Sequence, residues 1–533
     1  MPQRNRSVKG FAAPAPNGRL ALDVLRLRGA PILLVCADAR QAAAVAAIAG
    51  ALAPESRAAH FPPLDSPPYD PLPASRACVG GRMAVLGALA CEEAPPRLLT
   101  ACPAALLRRV PPRAIWPAAR LALATGETPD ADALADALAR IGYRSAARVE
   151  EPGEFALRPQ AIEIFPAAAA IPARLALEEG RIVEIRGFDP DSQRDRDETR
   201  ERLVVDPACE IVRPAGEVPA AHREEHRLAA HYEALETLLD YLPDARILVR
   251  EGTEEAVEDA LGAIAEAHAY EVAMREARGR GAHPLPPERL FLGEADWRAL
   301  AEGAEPAPSG GGEGEGSVPR FWEAARPLAA LRGFVEGARE DGLRILATGT
   351  GRAGASLARR LAAALGQKPV PVARLAEAAA AEPGALLALP APLEAGFVDA
   401  ADEVAAIAPA DLLGPRAVLA DATRDPLGLD EAALAFGEAA IHAEHGIGIV
   451  EGLVRVDLDG EPREALRLAY ADGASLMVPV DELDRVSRYG AAVEGLRLDR
   501  LDGDTWARRR DAIEAEIAEG AARLEAAAKA RAR

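Results

Sequence analysis

Short, continuous apolar runs recur along the chain, and helical patterns follow most of them. PILLVC (31–36) is typical of a strand that is buried on both faces of a parallel sheet. After it, Asp38 is the predicted N-cap of an alanine-rich helix that ends at Gly50. Further buried strands are predicted at RLLTAC (97–102), ARILVRE (245–251), RILAT (344–348), ALLALP (385–390) and VAAIAP (404–409). Strands that alternate with helices in this way indicate α/β layers.

A different pattern occupies residues 115–210. ARLAL (173–177) and RIVEIRGF (181–188) alternate apolar and polar residues on either side of Glu179-Gly180, which predicts a β-hairpin. A helix is predicted before them, opening at Asp130 and closing at Gly142. The expected unit is therefore a helix laid on a small antiparallel sheet.

The C-terminal part alternates again. LVRVDLDGEPREALRLAYADGASLMVPV (453–480) contains two Asp-Gly turns, Asp459-Gly460 and Asp472-Gly473, and predicts a small β-barrel. Residues 504–533 are expected to form a polar helix, and PAPSGGGEGEGSVP (306–319) has the composition of a flexible linker. The region 221–305 is expected to be mostly helical.

Charge and cysteine content exclude several classes of protein. The 533 residues include 62 basic and 83 acidic side chains, a net charge of −21, which is unsuited to free-standing DNA binding. Contact with DNA is therefore expected to be indirect or weak. The five cysteines form no CxxC pair, which argues against a disulfide framework or a zinc site. No run approaches the roughly 20 apolar residues of a membrane span, so a cytoplasmic protein without membrane contact is expected.

Three short motifs could carry chemistry, and each has a simpler interpretation. His222–His226 matches the zinc motif HxxEH, but the surrounding stretch is typical of a solvated helix face. GTGRAG (349–354) could cradle a phosphate, yet it lacks the lysine of a Walker A loop, so a glycine-rich turn is favoured. Asp481–Asp484 is similar to a helicase DExD box, but it more simply ends a strand. No catalytic residue, metal ligand or cofactor is therefore predicted.

Three longer passages carry a family resemblance. They are DSPPYDPLPASRACVGGRMAVLGAL (65–89), the frame GEF–R–IEIFP–PAR–IVEIRGFDPDSQR within 142–194, and AEHGIGIVEGL…LRLAYADGASLMVPVDELDRVSRY (443–489). The first two resemble the first two domains shared by the excision-repair protein UvrB and the transcription-repair coupling factor (Mfd) family. The third resembles the RNA-polymerase-interacting module that Mfd shares with CarD-like regulators and that UvrB lacks. GFVDAADEVAAIAPADLLGPR (396–416) is similar to the Mfd segment just before that module.

The resemblance implies a multidomain α/β fold. Degenerate UvrB/helicase-like α/β domains would carry an inserted helix-plus-antiparallel-sheet domain, followed by a CarD/Tudor-like β-barrel and a C-terminal helix. The expected divisions are 1–115 (helicase-like, without a Walker A loop, which RGAPILLV at 28–35 replaces), 116–210 (UvrA-interaction domain), 211–330 (helical and α/β, with the linker 306–319), 331–430 (α/β), 435–500 (CarD-like) and 501–533 (helix).

The resemblance also implies binding residues. In the family, two arginines of the second domain contact UvrA, and they correspond to Arg158 and Arg174. Pro159 and Glu178 depart from the family pattern, where a glycine and an aromatic residue stand, and are expected to weaken or alter that contact.

The strand that would face RNA polymerase, on its β subunit, corresponds to Glu464–Tyr470. The implied contact residues are Glu464, Leu466, Leu468 and Tyr470. The alternation places Leu466 and Leu468 on one face but leaves open whether that face meets the partner or the core.

The leading functional hypothesis is a non-catalytic adaptor in transcription-coupled nucleotide excision repair, because the chain stops in the helix that would lead into the family's ATP-driven translocase motor. A second hypothesis is a split or truncated coupling factor whose motor is on another polypeptide. A third is a CarD-like transcription regulator without a repair role.

Overall fold

A computed structural model describes most of the chain. The described residues are 17–70, 74–91, 95–190, 192–214, 225–277, 284–308, 316–414, 438–442, 444–458, 461–471, 474–479, 483, 485–491, 498–499, 501 and 506. They belong to two compact units, Met1–Gly414 and Pro415–Arg533.

The elements are numbered in chain order. The strands are β1 Ile32–Val35, β2 Ala59–Phe61, β3 Leu98–Ala101, β4 Leu121–Ala124, β5 Arg144–Ser145, β6 Glu154–Arg158, β7 Ala161–Ile164, β8 Ala173–Glu178, β9 Arg181–Phe188, β10 Asp195–Arg200, β11 Arg202–Val205, β12 Arg246–Val249, β13 Glu305–Pro306, β14 Arg344–Ala347, β15 Val370–Pro371, β16 Leu386–Ala388, β17 Phe397–Asp399, β18 Val404–Ile407, β19 Glu438–His442, β20 Gly446–Leu458, β21 Glu461–Ala469, β22 Ser475–Pro479 and β23 Val486–Ala491. The α-helices are α1 Asn17–Arg26, α2 Ala39–Leu52, α3 Arg76–Cys91, α4 Pro103–Leu106, α5 Trp116–Ala119, α6 Ala131–Arg140, α7 Thr253–Ala277, α8 Glu294–Glu302, α9 Pro327–Glu340, α10 Gly351–Leu365, α11 Leu375–Ala379 and α12 Pro409–Leu413.

The first sheet is parallel throughout, with the order β13-β12-β1-β3-β2. Its inner strands are the apolar runs identified in the sequence, and burial on both faces explains why those runs do not alternate. Asp38 caps α2 as predicted, with its side chain accepting a 2.8 Å hydrogen bond from the Gln41 backbone. The helix passes through Gly50 and ends at Leu52, so the predicted stop was two residues early.

Strands β12 and β13 come from the region 211–330, so the chain returns to the first sheet after the inserted domain. That region contains α7 and α8, but residues 225–230 form a 3-10 helix, and the helical prediction for 221–305 is only partly met. The predicted linker 306–319 begins inside β13, and Ser317 bridges to Phe397; residues 309–315 lie outside the described part.

The inserted domain is the predicted helix on an antiparallel sheet. Its sheet has the order β10-β9-β8-β7-β6-β5, with β5 and β6 parallel and the other pairs antiparallel. The β8–β9 hairpin turns at Glu179 and Gly180, which both have positive φ, 50° and 81°. Leu134 and Leu138 of α6 share one core with the inner face of this sheet and with the first sheet.

A second α/β sheet has the order β15-β16-β14-β18-β17, parallel except for β17. Helices α1 and α2 pack in one core with both α/β sheets. An ion pair fixes α1 to the β17–β18 turn, because Arg26 donates from Nη1 to Asp399 at 2.8 Å and from Nη2 to Asp402 at 2.7 Å.

The second unit contains an antiparallel sheet with the order β22-β21-β20-β19-β23. Leu458 pairs with Glu461 and Ala469 with Ser475, the registers that tight hairpins produce, while both predicted Asp-Gly turns lie outside the described residues. The predicted helix 504–533 is likewise outside them, apart from Trp506.

Candidate partner-binding surfaces

The face of the inserted sheet that points away from α6 carries charged residues in register. Ile162, Leu175 and Ile185 are cross-strand neighbours on the inner, buried face. The alternate residues therefore form rows on the outer face. One row contains Ala156, Glu163, Arg174 and Arg186, and the next contains Arg158, Ala161, Ala176 and Glu184. The two arginines that the resemblance implies thus lie on the same face, in neighbouring rows.

Arg174 is held tightly within this face. Its Nε donates to Glu163 at 2.9 Å, and its Nη1 donates to the Gln193 carbonyl at 3.2 Å and to the Asp195 carboxylate. The guanidinium carbon lies 4.4 Å from the centre of the Phe188 ring, within cation–π range. Only 22% of the Arg174 side chain is exposed, so most of its hydrogen-bonding capacity is used inside the chain.

Arg158 is more accessible. Its side chain is 48% exposed, donates to the Ala147 carbonyl at 2.7 Å, and has only a long 3.5 Å contact with Glu163. Pro159 begins the two-residue turn that joins Arg158 to Ala161. Proline favours this turn position and its missing N–H is not needed by the ladder, so Pro159 leaves the strand of Arg158 intact.

Glu178 ends β8 at the hairpin turn, away from Glu163 and Arg174 along the strand. It is exposed and lines a shallow surface groove together with Thr125, Arg181 and Val183. The sequence resemblance implied an aromatic ring at this position, and an exposed carboxylate stands there.

A buried ion triad anchors the inserted domain to the first α/β domain. Glu210, which follows β11, accepts from Arg82 Nε at 3.1 Å and from Arg108 Nη2 at 2.8 Å. Burial opposes the charge of Glu210, but the two guanidinium groups outweigh it and hold the pKa of this carboxyl below its usual range. Arg82 also donates to the Pro62 carbonyl at 2.6 Å. Buried ion pairs therefore join the end of the inserted domain, which presents Arg158, to the first α/β domain.

The strand that the resemblance assigns to RNA polymerase is β21. Leu466, Leu468 and Tyr470 are 6%, 0% and 3% exposed and form a core with residues of the neighbouring strands. In this unit their face is the buried one, which answers the question that the alternation left open. A polymerase contact at this strand stays a prediction, and it would have to use other atoms of β21.

Arg467 points to the opposite face. Its side chain is 44% exposed and forms a 2.8 Å ion pair with Glu451 on β20. Glu464 lies farther along β21, in register with Arg455. By alternation Glu464 falls on the same face of β21 as Leu466, so the exposed charge that the structure describes on the opposite face is that of Arg467.

Comparison with known proteins places these surfaces in a family context. A family model described as "UvrB interaction domain" matches residues 121–210, and one described as "CarD-like/TRCF RID domain" matches residues 434–490. The transcription-repair-coupling factor of Escherichia coli K12 is 29% identical over 79% of this chain and 40% of its own length. Those of Haemophilus influenzae and Myxococcus xanthus are each 27% identical, over 87% and 94% of this chain and 44% and 47% of their own lengths.

The chain is a relative of the transcription-repair-coupling factors. It spans less than half the length of these curated relatives. Two of the three resemblances, to the UvrB-like second domain and to the CarD-like module, are thus also found by family models.

The structure explains why the glycine-rich stretch of this coupling-factor relative does not form a phosphate loop. GTGRAG follows β14 and opens α10, but the Gly349 N–H donates to the Ala391 carbonyl at 2.8 Å and is not free for a phosphate. A Cβ at Gly354 would lie 2.2 Å from the Gly349 carbonyl oxygen. The glycine is thus required by a tight strand-to-helix turn, which is the simpler interpretation.

The first sheet also lacks the geometry of a phosphate loop where its strand meets α2. Only residues 36–38 separate β1 from α2, whereas GxxxxGK[ST] needs an eight-residue segment. The Asp38 carboxylate accepts from the N-terminal backbone of α2, where a phosphate would bind. An acid at this position repels phosphate.

The other sequence motifs gain no support. His222 of the HxxEH motif and three residues of Asp481–Asp484 lie outside the described residues. Within the part of the chain that the structure describes, no group of three or more His, Cys, Asp or Glu residues could hold a metal ion. No helix among the described residues has the length and apolar character needed to cross a membrane.

Sequence reasoning missed two residues of the outer face. Glu163 alternates with Ile162 and Ile164, so its outward direction was readable, but its pairing with Arg174 depends on strand register. Asp195 reaches Arg174 from β10, a fully exposed strand without an apolar residue, and no sequence signal marks it.

Proposed function

We propose that this chain is a non-catalytic adaptor in transcription-coupled nucleotide excision repair. It binds UvrA through the outer face of the inserted sheet and RNA polymerase, on its β subunit, through the strand β21. The observation that carries the proposal is the presence of a UvrB interaction domain and a CarD-like domain in one chain that is related to coupling factors along 79–94% of its length.

Arg158 supports the UvrA part of the proposal. It is a half-exposed arginine on a flat strand surface, and the planar guanidinium can hold a partner carboxylate through two parallel hydrogen bonds. The buried ion pairs of Glu210 with Arg82 and Arg108 hold the inserted domain to the first α/β domain. A half-exposed arginine on a strand of a supported sheet suits binding of an acidic protein surface.

The acidic composition supports a role through protein partners rather than direct DNA binding. The net charge of −21 disfavours association with the phosphate backbone. For RNA polymerase, the exposed side chain of Arg467 is the proposed contact on β21, because the apolar side chains of that strand face inward. The backbone of Ala465–Ala469 is already paired with β20 and β22.

The test is binding of the full chain to purified UvrA and to purified RNA polymerase. We expect Arg158→Ala to weaken UvrA binding by about tenfold, as for a central interface arginine, and to leave polymerase binding unchanged. Arg467→Glu should weaken polymerase binding and leave UvrA binding unchanged. Arg298→Ala is the matched control, since this arginine is 66% exposed on α8, outside both surfaces.

Each outcome separates the functional hypotheses. A chain that binds neither protein is not the proposed adaptor. A chain that binds polymerase but not UvrA acts as a CarD-like regulator without the repair role.

A further inference from the structure

The outer face of the inserted sheet contains a carboxylate of the chain itself at the place where a partner carboxylate would bind. Asp195, the first residue of β10, accepts a hydrogen bond from Nη1 of Arg174. Its side chain is 44% exposed, so the pair lies at the surface, where an incoming protein would meet it. The Nε of Arg174 is bound to the buried Glu163, so Asp195 is the exposed carboxylate that this guanidinium contacts.

The turn before β10 fixes Asp195 in this position. The Asp189 N–H donates to the Arg194 carbonyl at 2.9 Å, and the Gln193 N–H donates to the Asp189 carbonyl at 2.8 Å. Gln193 has a positive φ of 58°, and its side-chain Nε2 donates to the Pro190 carbonyl at 2.7 Å. The turn thus aims both the Gln193 carbonyl and the Asp195 carboxylate at Arg174.

We propose that Asp195 is an intramolecular substitute for a partner carboxylate: it occupies Arg174 and lowers the affinity of this sheet for an acidic protein surface. The inference rests on the proposed function, and it divides the roles of the two arginines. Arg158 makes the partner contact while Asp195 is bound to Arg174. Arg174 becomes available to the partner only when Asp195 is displaced from it.

The competition between Asp195 and a partner carboxylate should change the affinity for the partner only modestly. A partner carboxylate that binds Arg174 must first displace Asp195, and it must also approach a second negative charge. Exposed ion pairs are weak, so removing the charge of Asp195 should tighten partner binding by about two- to fivefold. The gain should shrink at higher salt, since the groups are exposed to solvent.

The experiment measures the dissociation constant of the full chain for purified UvrA. Asp195→Asn keeps the size of the side chain and removes its charge, and Asp197→Asn is the matched control, because it removes the same charge from the same exposed strand. We expect tighter binding for Asp195→Asn and no change for Asp197→Asn. Thermal unfolding of each variant checks that the fold is retained.

A double-variant cycle ties the effect to Arg174. Arg174→Lys retains a positive charge for the buried Glu163 but loses the fork that reaches Asp195, and it is safer for folding than truncation to alanine. The gain from Asp195→Asn should disappear when Arg174→Lys is also present. Equal gains in Asp195→Asn and Asp197→Asn, or weaker binding in Asp195→Asn, would overturn the inference.

The failure of this inference can be told apart from the failure of the proposed function. Wild-type binding that Arg158→Ala weakens, without a gain in Asp195→Asn, overturns the role of Asp195 and leaves the proposed function standing. Absence of binding in every variant and in the wild type overturns both.

Discussion

At the scale of single residues, Glu210 links charge to stability. Glu210→Gln would remove the carboxylate with which both buried arginines, Arg82 and Arg108, form ion pairs, so we expect a loss of about 3–5 kcal/mol in the free energy of unfolding. Urea unfolding measures this loss. Glu236→Gln is the control, because its pair with Arg113 is partly exposed and should contribute less than about 1 kcal/mol. A similarly small loss in both variants would contradict the prediction.

The stability lost in Glu210→Gln should depend on pH, and the pKa of Glu210 gives the sign of that dependence. Burial raises the pKa of Glu210, but the neighbouring guanidinium groups lower it by more than burial raises it. The pKa in the folded state is therefore below the usual value. Such a carboxylate stabilises the fold above its unfolded pKa, about 4.3, and loses that effect as the pH falls through the folded pKa. The difference between wild type and Glu210→Gln should therefore be largest near neutral pH and shrink in acid. An equal difference across the range would argue against the charge as its cause.

Residues differ in how far the sequence predicts their role. Arg158 and Arg174 were identified from a motif frame, and both lie on the expected sheet. Their accessibility was not predictable, because it depends on what the cross-strand register brings beside each of them. Glu163 and Asp195 decide that accessibility, and they come from β7 and β10, at different distances along the chain.

At the scale of elements, β21 shows why a strand's face must be known before a residue is tested. Leu468→Arg would place a charge at a fully buried position, so we expect it to unfold the C-terminal sheet rather than to remove a contact. Arg467→Glu, one residue away and exposed, should leave the unfolding temperature nearly unchanged. Circular dichroism melts of both variants provide the comparison. A stably folded Leu468→Arg would show that this face is not a core.

The accuracy of the predicted elements follows their apolar content. Buried runs such as 31–36 and 404–409 contain strands because a run this short fits a strand that is covered on both faces and is too short for a buried helix. Strands β5 and β10 were missed, since their residues are all exposed and polar and only pairing to a neighbour makes them strands. Gly50 was taken as a helix end, but glycine costs a helix only about 1 kcal/mol, and the turns around it are held by buried residues of α2.

At the scale of the whole molecule, the inserted domain and the first α/β domain share one core. Trp116, the first residue of the predicted division 116–210, donates from Nε1 at 2.9 Å to the hydroxyl of Tyr241, which lies in the predicted division 211–330. Helix α3 approaches the loop after β7 so closely that a Cβ at Gly80 would lie 2.3 Å from the Ala167 Cβ. Domains that were distinct in the sequence pattern are thus packed as parts of one unit.

Two neighbouring glycines of α3 test this packing directly. Gly80→Ala gains helix propensity but forces α3 away from the Ala167 loop, so we expect a net loss of stability of about 1–3 kcal/mol. Gly81→Ala gains the same propensity and meets only Pro62 at 4.0 Å, an ordinary contact, so it should stabilise the chain by up to about 1 kcal/mol. Denaturant unfolding of the two variants separates the effect of the steric clash with Ala167 from the effect of helix propensity. Because Ala167 lies in the loop that joins β7 and β8 of the sheet that presents Arg158, Gly80→Ala should also weaken UvrA binding. Equal stability in both variants would mean that the two domains are not held in this contact.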